Sequence, residues 1–240
     1  FNENNFFKGP DKSKCQTVFV CKNCNITSYW WEESNIHHIS LVACISAECK
    51  SLKSLILSTR AKMDKDIDQT FFAQWASYCK TKKGYMTQES MLFWLKEIIS
   101  PYVNEKRKEL NWNYQCIIIC DSCSAHFSEE ITQILSEIDN ISFLPIPAHS
   151  SHLTQMLDAT VFGALKRRYK STPCDKRITS RFTQKLIRVK IAYQQTMSQE
   201  LLKSGWEATG FNLTLENGRV TDITFDDEFI YKLRAECQNV

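Results

Sequence analysis

Apolar and polar positions along the chain follow two rhythms, and the change between them outlines its architecture. The first third carries short apolar or β-branched runs of strand length, Thr17 to Cys21 (TVFVC), Ile39 to Ile45 (ISLVACI) and Leu52 to Leu57, with turn chemistry in CKNCN and KNCNITS. From Asp68 to Tyr78 and from Gln88 to Ile99 the spacing becomes three and four residues, through Phe71, Phe72, Trp75, Met91, Leu92 and Leu95. That spacing predicts two helices, the second capped by Thr87 and stopped by Pro101. Cys116 to Cys120 (CIIIC) then reads as a strand buried on both faces. Ser128 to Ile138 reads as an amphipathic helix with Glu129 and Glu130 in its first turn. Ile141 to Leu144 is a further strand, closed by Pro145 and Pro147. From Thr154 to Lys170 one stripe runs through Leu157, Val161, Leu165 and Tyr169, and Ile178 to Leu202 predicts one more helix. After Gly205 the pattern is less regular. A strand meander followed by strands alternating with helices predicts an α/β domain whose later strands are parallel.

Composition narrows the class. Hydrophobic residues make up 43% of the 240 and aromatics 12%, enough for a substantial core. No apolar run approaches the roughly 20 residues that cross a bilayer, so no membrane association is expected. The chain opens on Phe1 with no signal-peptide pattern and reads as a trimmed domain. Eleven cysteines, spread over apolar runs and polar loops, suit reduced thiols in a nuclear or cytosolic protein better than a disulfide framework. With six glycines and no glycine-rich motif, a phosphate-cradling nucleotide loop is not expected. The net charge of +3 is unevenly placed. Lys166 to Lys190 holds ten lysines and arginines against the single acid Asp175, a local charge of +9, so the remainder carries −6. Such asymmetry suits a polyanionic partner, with a solvated helix face as the alternative.

Two aspartates stand out. Asp121 follows the CIIIC run directly, where the carboxyl end of a buried strand would hold a ligand-binding side chain. It could instead cap the turn from Ser122 to Ser124. Asp158 lies near the start of the apolar helix, at the edge of its buried stripe, with helix capping as the alternative. The 36 residues between them suffice for a helix, a strand and a loop that returns one beside the other. Paired carboxylates repel unless a cation lies between them, and a sparse oxygen site suits Mg²⁺. Two such ions would activate water and stabilise the leaving oxygen of a phosphodiester.

The segments HISLVACISAECKSL (38–52), GYMTQESMLFWL (84–95), CDSCSAH (120–126), LPIPAHSSHLTQMLDATVFGALKRRY (144–169) and SGWEATGFN (204–212) occur in an order that resembles the DDE-type transposase catalytic domain. The resemblance is to the pogo, Tigger and Jerky group, related to the centromere protein B family. It implies a ribonuclease H-like fold, a central mixed five-stranded sheet flanked by helices. It also implies a triad of acids binding two Mg²⁺ or Mn²⁺ ions, DNA as partner and a nuclear setting. Residues 1–170 would form the catalytic domain, truncated at its N-terminus, and residues 171–240 a helical extension packed on it. Asp121 matches the second acid and Asp158 the third. The first belongs to a motif of the form Phe-Asn-x-Asp-Glu. Here the chain reads FNENN, so Asn4 stands at the position of the missing first acid and Asn5 replaces the following glutamate. Glu3 is the neighbouring carboxylate, but strand alternation puts it on the opposite face from residue 4 unless a bulge intervenes.

Other candidates are subordinate. Lys166, Arg167, Arg168 and Lys170 would neutralise phosphates, continued by Lys176, Arg177, Arg181, Lys185, Arg188 and Lys190. His149 and His152, with His126, would line the cleft or contact a phosphate. His37 and His38 suit a strand entrance without chemistry. Cys21/Cys24 and Cys120/Cys123 have zinc-like spacing, but no geometry joins the pairs. Trp30, Trp31 and Trp206 are candidate base stackers or core residues. Three functions follow as expectations. The first is a DNA-binding, transposon-derived domain with impaired catalysis. The second is an active Mg²⁺- or Mn²⁺-dependent endonuclease using Glu3 with Asp121 and Asp158. The third is a recruited protein-interaction scaffold. A homo-oligomer is compatible with each, and the family's upstream helix-turn-helix reader is not within these residues.

Overall fold

A computed structural model of the chain describes residues 2–5, 38–62, 72–111, 115–121, 128–137, 140–146, 154–175 and 177–229. The expected strand at Thr17 to Cys21 lies outside them, as do Trp30 and Trp31. Strand β1 (Asn2–Asn5) pairs antiparallel with β2 (Ile39–Ala43), and β2 pairs antiparallel with β3 (Ser54–Ser58). Strands β2 and β3 stand at the expected runs Ile39 to Ile45 and Leu52 to Leu57, whereas β1 takes the FNENN segment, which no apolar run marks. The next strand, β4 (Ala76–Lys80), lies parallel to β3. It corrects the helix expected to run to Tyr78. The bonds from Ser54 N to Trp75 O and from Thr81 N to Ser58 O, each 2.9 Å, extend the ladder past both ends of β4. Short apolar runs fit both periods, and here tertiary pairing decides.

Thr87 caps α1 (Gln88–Trp94) as expected, its side chain accepting from Ser90 N while the Ser90 hydroxyl accepts from Thr87 N. Pro101 does not stop this helix. The chain passes through a widened turn, Leu95–Ile99, in which Ser100 N bonds Leu95 O, five residues back, and continues as α2 (Ser100–Leu110). The proline falls in the first turn of α2, where a missing N–H costs least. The helix ends on Asn111 in the left-handed conformation.

Strand β5 (Cys116–Cys120) and β6 (Ile141–Pro145) are parallel and joined through α3 (Glu129–Glu137), as the alternating pattern predicts. A widened turn, Leu157–Val161, leads into α4 (Phe162–Ser171). The predicted long helix from Ile178 is two. Ser198 starts a new helix by accepting from Leu201 N, so α5 (Arg181–Thr196) and α6 (Gln199–Glu207) are separate. The tail is a hairpin of β7 (Phe211–Glu216) and β8 (Arg219–Phe225), more regular than its sequence suggests.

Two cores sandwich the strands. One joins Ile39, Leu41 and Ile56 to Leu157, Val161, Phe162 and Leu165 and to Leu186 and Val189 of α5. The other joins Val42, Leu55 and Leu57 to Met91, Trp94 and Ile98 and to Ile118, Cys120 and Ile131. Alternate residues of β2 thus face opposite cores. Among the described residues the strands form sheets of four, two and two, not one sheet of five. An apolar cavity of about 210 Å³, lined by Cys44, Ile45, Ile117, Ile119, Gln155 and Leu157, lies between the end of β2 and the β5–β6 pair. Ile117 is consequently 58% exposed, which corrects the expectation that β5 is buried on both faces.

Candidate active site

Backbone bonds hold Asp121 at the exit of β5. Cys116 N donates to Asn140 O at 2.7 Å and Ile146 N to Cys120 O at 2.8 Å, so the β5–β6 ladder is tied at both ends. Ile118 and Cys120 belong to the core under α1 and α3. By alternation, Ile117, Ile119 and Asp121 take the other side. Ile117 and Ile119 line a cavity with Gln155 and Leu157, and Leu157 and Val161, the neighbours of Asp158, belong to the core on the opposite face of β2. Both aspartates are half-buried.

Asp158 lies in a widened helical turn. Phe162 N reaches back five residues to Leu157 O, and Asp158 N donates to Gln155 O at 3.0 Å. Such turns recur at functional sites. Leu157 and Val161, both essentially inaccessible, clamp the turn from below. Gly205 of α6 closes on it from the side. A Cβ at residue 205 would lie 2.9 Å from Thr160 Oγ1 and 3.1 Å from Met156 O, so this helix crossing needs glycine. The SGWEATGFN segment therefore has a positional role that its sequence alone does not reveal.

Register pairs β1 with β2 residue by residue. Asn4 is paired with Leu41 and Glu3 with Val42. Opposed residues of an antiparallel pair share a face. Leu41 belongs to the core that holds the Asp158 helix, and Val42 to the opposite core. The Asn4 position therefore falls on the face whose core holds Leu157 and Val161, the neighbours of Asp158, and the Glu3 position on the opposite face. No bulge interrupts this ladder.

His126, His149 and His152, expected to line the cleft, lie outside the described residues, as do Cys21, Cys24, Cys123 and His37. Among the described residues, no group of three or more His, Cys, Asp or Glu is placed to hold a metal. Among the described residues, the oxygen donors that the resemblance assigns to a metal are Asp121 and Asp158. This set fits a hard divalent cation, held more weakly than by three acids. The thiols beside the cleft offer no competing chemistry. Burial pushes Cys44 and Cys116 up, which keeps both protonated at neutral pH. His38 makes a 3.0 Å hydrogen bond with the Ser40 hydroxyl, a structural place as expected.

The basic segment divides into two sets. Lys166, Arg167 and Lys170 project from α4 into solvent, and Arg181 from the start of α5. The others are engaged within the fold. Arg168 Nη1 donates to Gln195 O at the end of α5. Arg188 Nε donates to Thr172 O at 2.9 Å and its Nη2 to Tyr169 O at 2.8 Å. Its guanidinium stacks 4.3 Å from the Tyr169 ring centroid. Lys190 is buried. Arg177, although exposed, holds Asp175 bidentately, and this drives the Asp175 carboxyl down to about 2. Lys176 lies outside the described residues. Trp206 belongs to the packing, with Nε1 donating to Ser46 O at 3.2 Å and its ring edge-on to Phe211. No helix among the described residues is long and apolar enough to cross a membrane.

The family model described as DDE superfamily endonuclease matches residues 37–209. That span contains both aspartates, the cleft strands β5 and β6 and helices α1 to α6. No curated protein and no solved structure matches the chain.

Proposed function

Since the chain belongs to the DDE superfamily endonucleases, we propose that it is a transposase-derived, ribonuclease H-like domain that binds DNA and has lost most of its cutting activity. The observation that carries this reading is the register of β1. It pairs the Asn4 position with Leu41, on the face that packs against the Asp158 helix, and the Glu3 position with Val42 on the other, which supports an asparagine in place of the first acid. An amide is neutral and cannot offset the charge of two closely spaced cations as a carboxylate does. In this reading Asp121 and Asp158 hold one Mg²⁺ or Mn²⁺ ion, which when bound supplies an activated water and charge stabilisation at a phosphodiester. The fold's own contribution is to hold the two carboxylates on one side of the strands. Lys166, Arg167 and Lys170 neutralise backbone phosphates without reading sequence. The motif blocks favour the pogo, Tigger and Jerky group within the family, and a working place on nuclear DNA.

Supercoiled plasmid with Mn²⁺ tests the reading. The wild type is expected to bind DNA in a salt-sensitive manner and to nick it no faster than Asp121→Ala or Asp158→Ala. Nicking that disappears in both variants and in Glu3→Gln would establish the active-endonuclease alternative instead.

A further inference from the structure

The hairpin of β7 and β8 begins at Phe211, just past the end of the family match at residue 209, and has no part in the site above. Its two strands differ in how they are covered. On β7, Leu213 is buried in the core and Phe211 packs edge-on against Trp206. Their cross-strand partners on β8 are Ile223 and Phe225, which share that face by register. Yet Ile223 is 51% and Phe225 41% exposed. The apolar face of the hairpin thus overhangs the core by one strand.

Among the described residues β8 pairs with β7 alone. Ile223 N donates to the carboxylate of its neighbour Asp222 at 2.9 Å, so this amide is directed away from β7, toward the outer edge. A carboxylate held over an edge amide guards it against indiscriminate pairing. The surroundings are acidic. From Glu216 to Glu228 the exposed charges are Glu216, Asp222, Asp226, Asp227 and Glu228 against Arg219, a balance of −4.

We infer that β8 is a docking edge for an extended protein segment that alternates basic and apolar residues. The incoming strand adds beside β8. Its carbonyl takes the Ile223 amide, a lysine or arginine takes the Asp222 carboxylate, and its apolar residues cover Ile223 and Phe225. Main-chain bonds give affinity in this mode, and alternate side chains give selectivity. The charge of the site selects a basic strand over an acidic one.

The test uses the 240-residue chain and three fluorescent heptapeptides, Lys-Val-Lys-Ile-Lys-Val-Lys, its counterpart with glutamate for lysine, and Lys-Val-Lys-Pro-Lys-Val-Lys. Anisotropy is expected to show saturable binding of the first, at least tenfold tighter than of either other. Ile223→Lys and Asp222→Asn should each weaken it several-fold, and both residues are exposed, so unchanged melting verifies the fold. Hydrogen exchange should show new protection at Ile223 and its β8 neighbours. Equal binding of the proline peptide would mean charge attraction without strand addition and would overturn the inference. So would binding indifferent to Ile223→Lys, or self-association through β8 with no peptide binding.

Discussion

Replacing Arg188 with methionine separates the structural basic residues from those free to meet a phosphate backbone. The Arg188 side chain closes α4 by donating to two carbonyls near its end, Tyr169 O and Thr172 O, and stacks on Tyr169. Helix-terminal carbonyls have no partner within the helix, so their loss is felt. Hydrogen bonds from a charged donor contribute about 1.5–3 kcal/mol each. A partly exposed cation–π contact adds about 0.5–1 kcal/mol. The three share one side chain and overlap, and the methionine stem retains some packing. The expected loss is therefore about 2–4 kcal/mol. For a chain of this size that lowers the melting temperature by roughly 4–16 °C, at about 2–4 °C per kcal/mol. Urea and thermal unfolding followed by circular dichroism would measure it. Alanine at Lys166, Arg167 and Lys170 should each stay within about 0.5 kcal/mol of wild type. DNA binding should show the opposite order. Removing those three is expected to flatten the salt dependence by up to about three, at about 0.9 per phosphate contact, while Arg188→Met leaves it unchanged below its melting temperature. An Arg188→Met protein as stable as wild type but with a flattened salt dependence would refute the division.

Further expectations concern packing and pH. Gly205→Val should cost about 1–3 kcal/mol, because the new side chain meets Met156 O and Thr160 across a helix crossing that cannot open freely. An unchanged urea midpoint would deny the close approach. Asp175 should titrate near 2 by nuclear magnetic resonance and move back toward about 4 in Arg177→Gln. Its folded value lies below the unfolded one, so the Arg177 contact is fully present above about pH 4 and fades as pH falls toward 2. An Asp175 midpoint unmoved by Arg177→Gln would remove Arg177 as the cause. Tyr193 shows the opposite sign. Burial raises its phenol to about 12, and its hydroxyl faces Ser54 and Ser51 without closing a hydrogen bond of normal geometry. The unfolded chain ionises first, so stability should fall as pH rises from about 10 through 12, by up to about 3 kcal/mol. Tyr193→Phe should flatten that decline, and an identical alkaline decline in the variant would refute it.

The parts of the fold legible in the sequence are those where one local rule acts without competition. Strands β2 and β3, the CIIIC strand, its parallel partner and the stripe through Leu157, Val161 and Leu165 all stand where their periodicity predicts. Where a local rule competes with tertiary pairing, it loses. The stretch ending at Tyr78 has helical spacing, yet pairing with β3 makes its last residues a strand. Pro101 signals a stop, yet the widened turn at Leu95–Ile99 lets the helix continue. The hairpin after Gly210 is hard to read because β8 leaves Ile223 and Phe225 exposed, so no buried alternation marks it. For the site, Asp121 and Asp158 are visible as types and spacings, but the cores their neighbours join, Ile118 and Cys120 in one and Leu157 and Val161 in the other, are set by tertiary packing. Charge counting overstates the basic surface, since it cannot distinguish Lys166 in solvent from Arg188 bonded to carbonyls or Lys190 in the core.

Asn4→Asp is the most direct measurement. Plasmid nicking in Mn²⁺ by this variant, by wild type and by Asn4→Asp combined with Asp121→Ala would be followed under one set of conditions. Restoring the carboxylate at the position paired with Leu41 is expected to raise the nicking rate at least 100-fold, and Asp121→Ala should abolish the gain. An Asn4→Asp protein that binds DNA and Mn²⁺ as wild type does yet cuts no faster would contradict the assignment of the missing acid to residue 4.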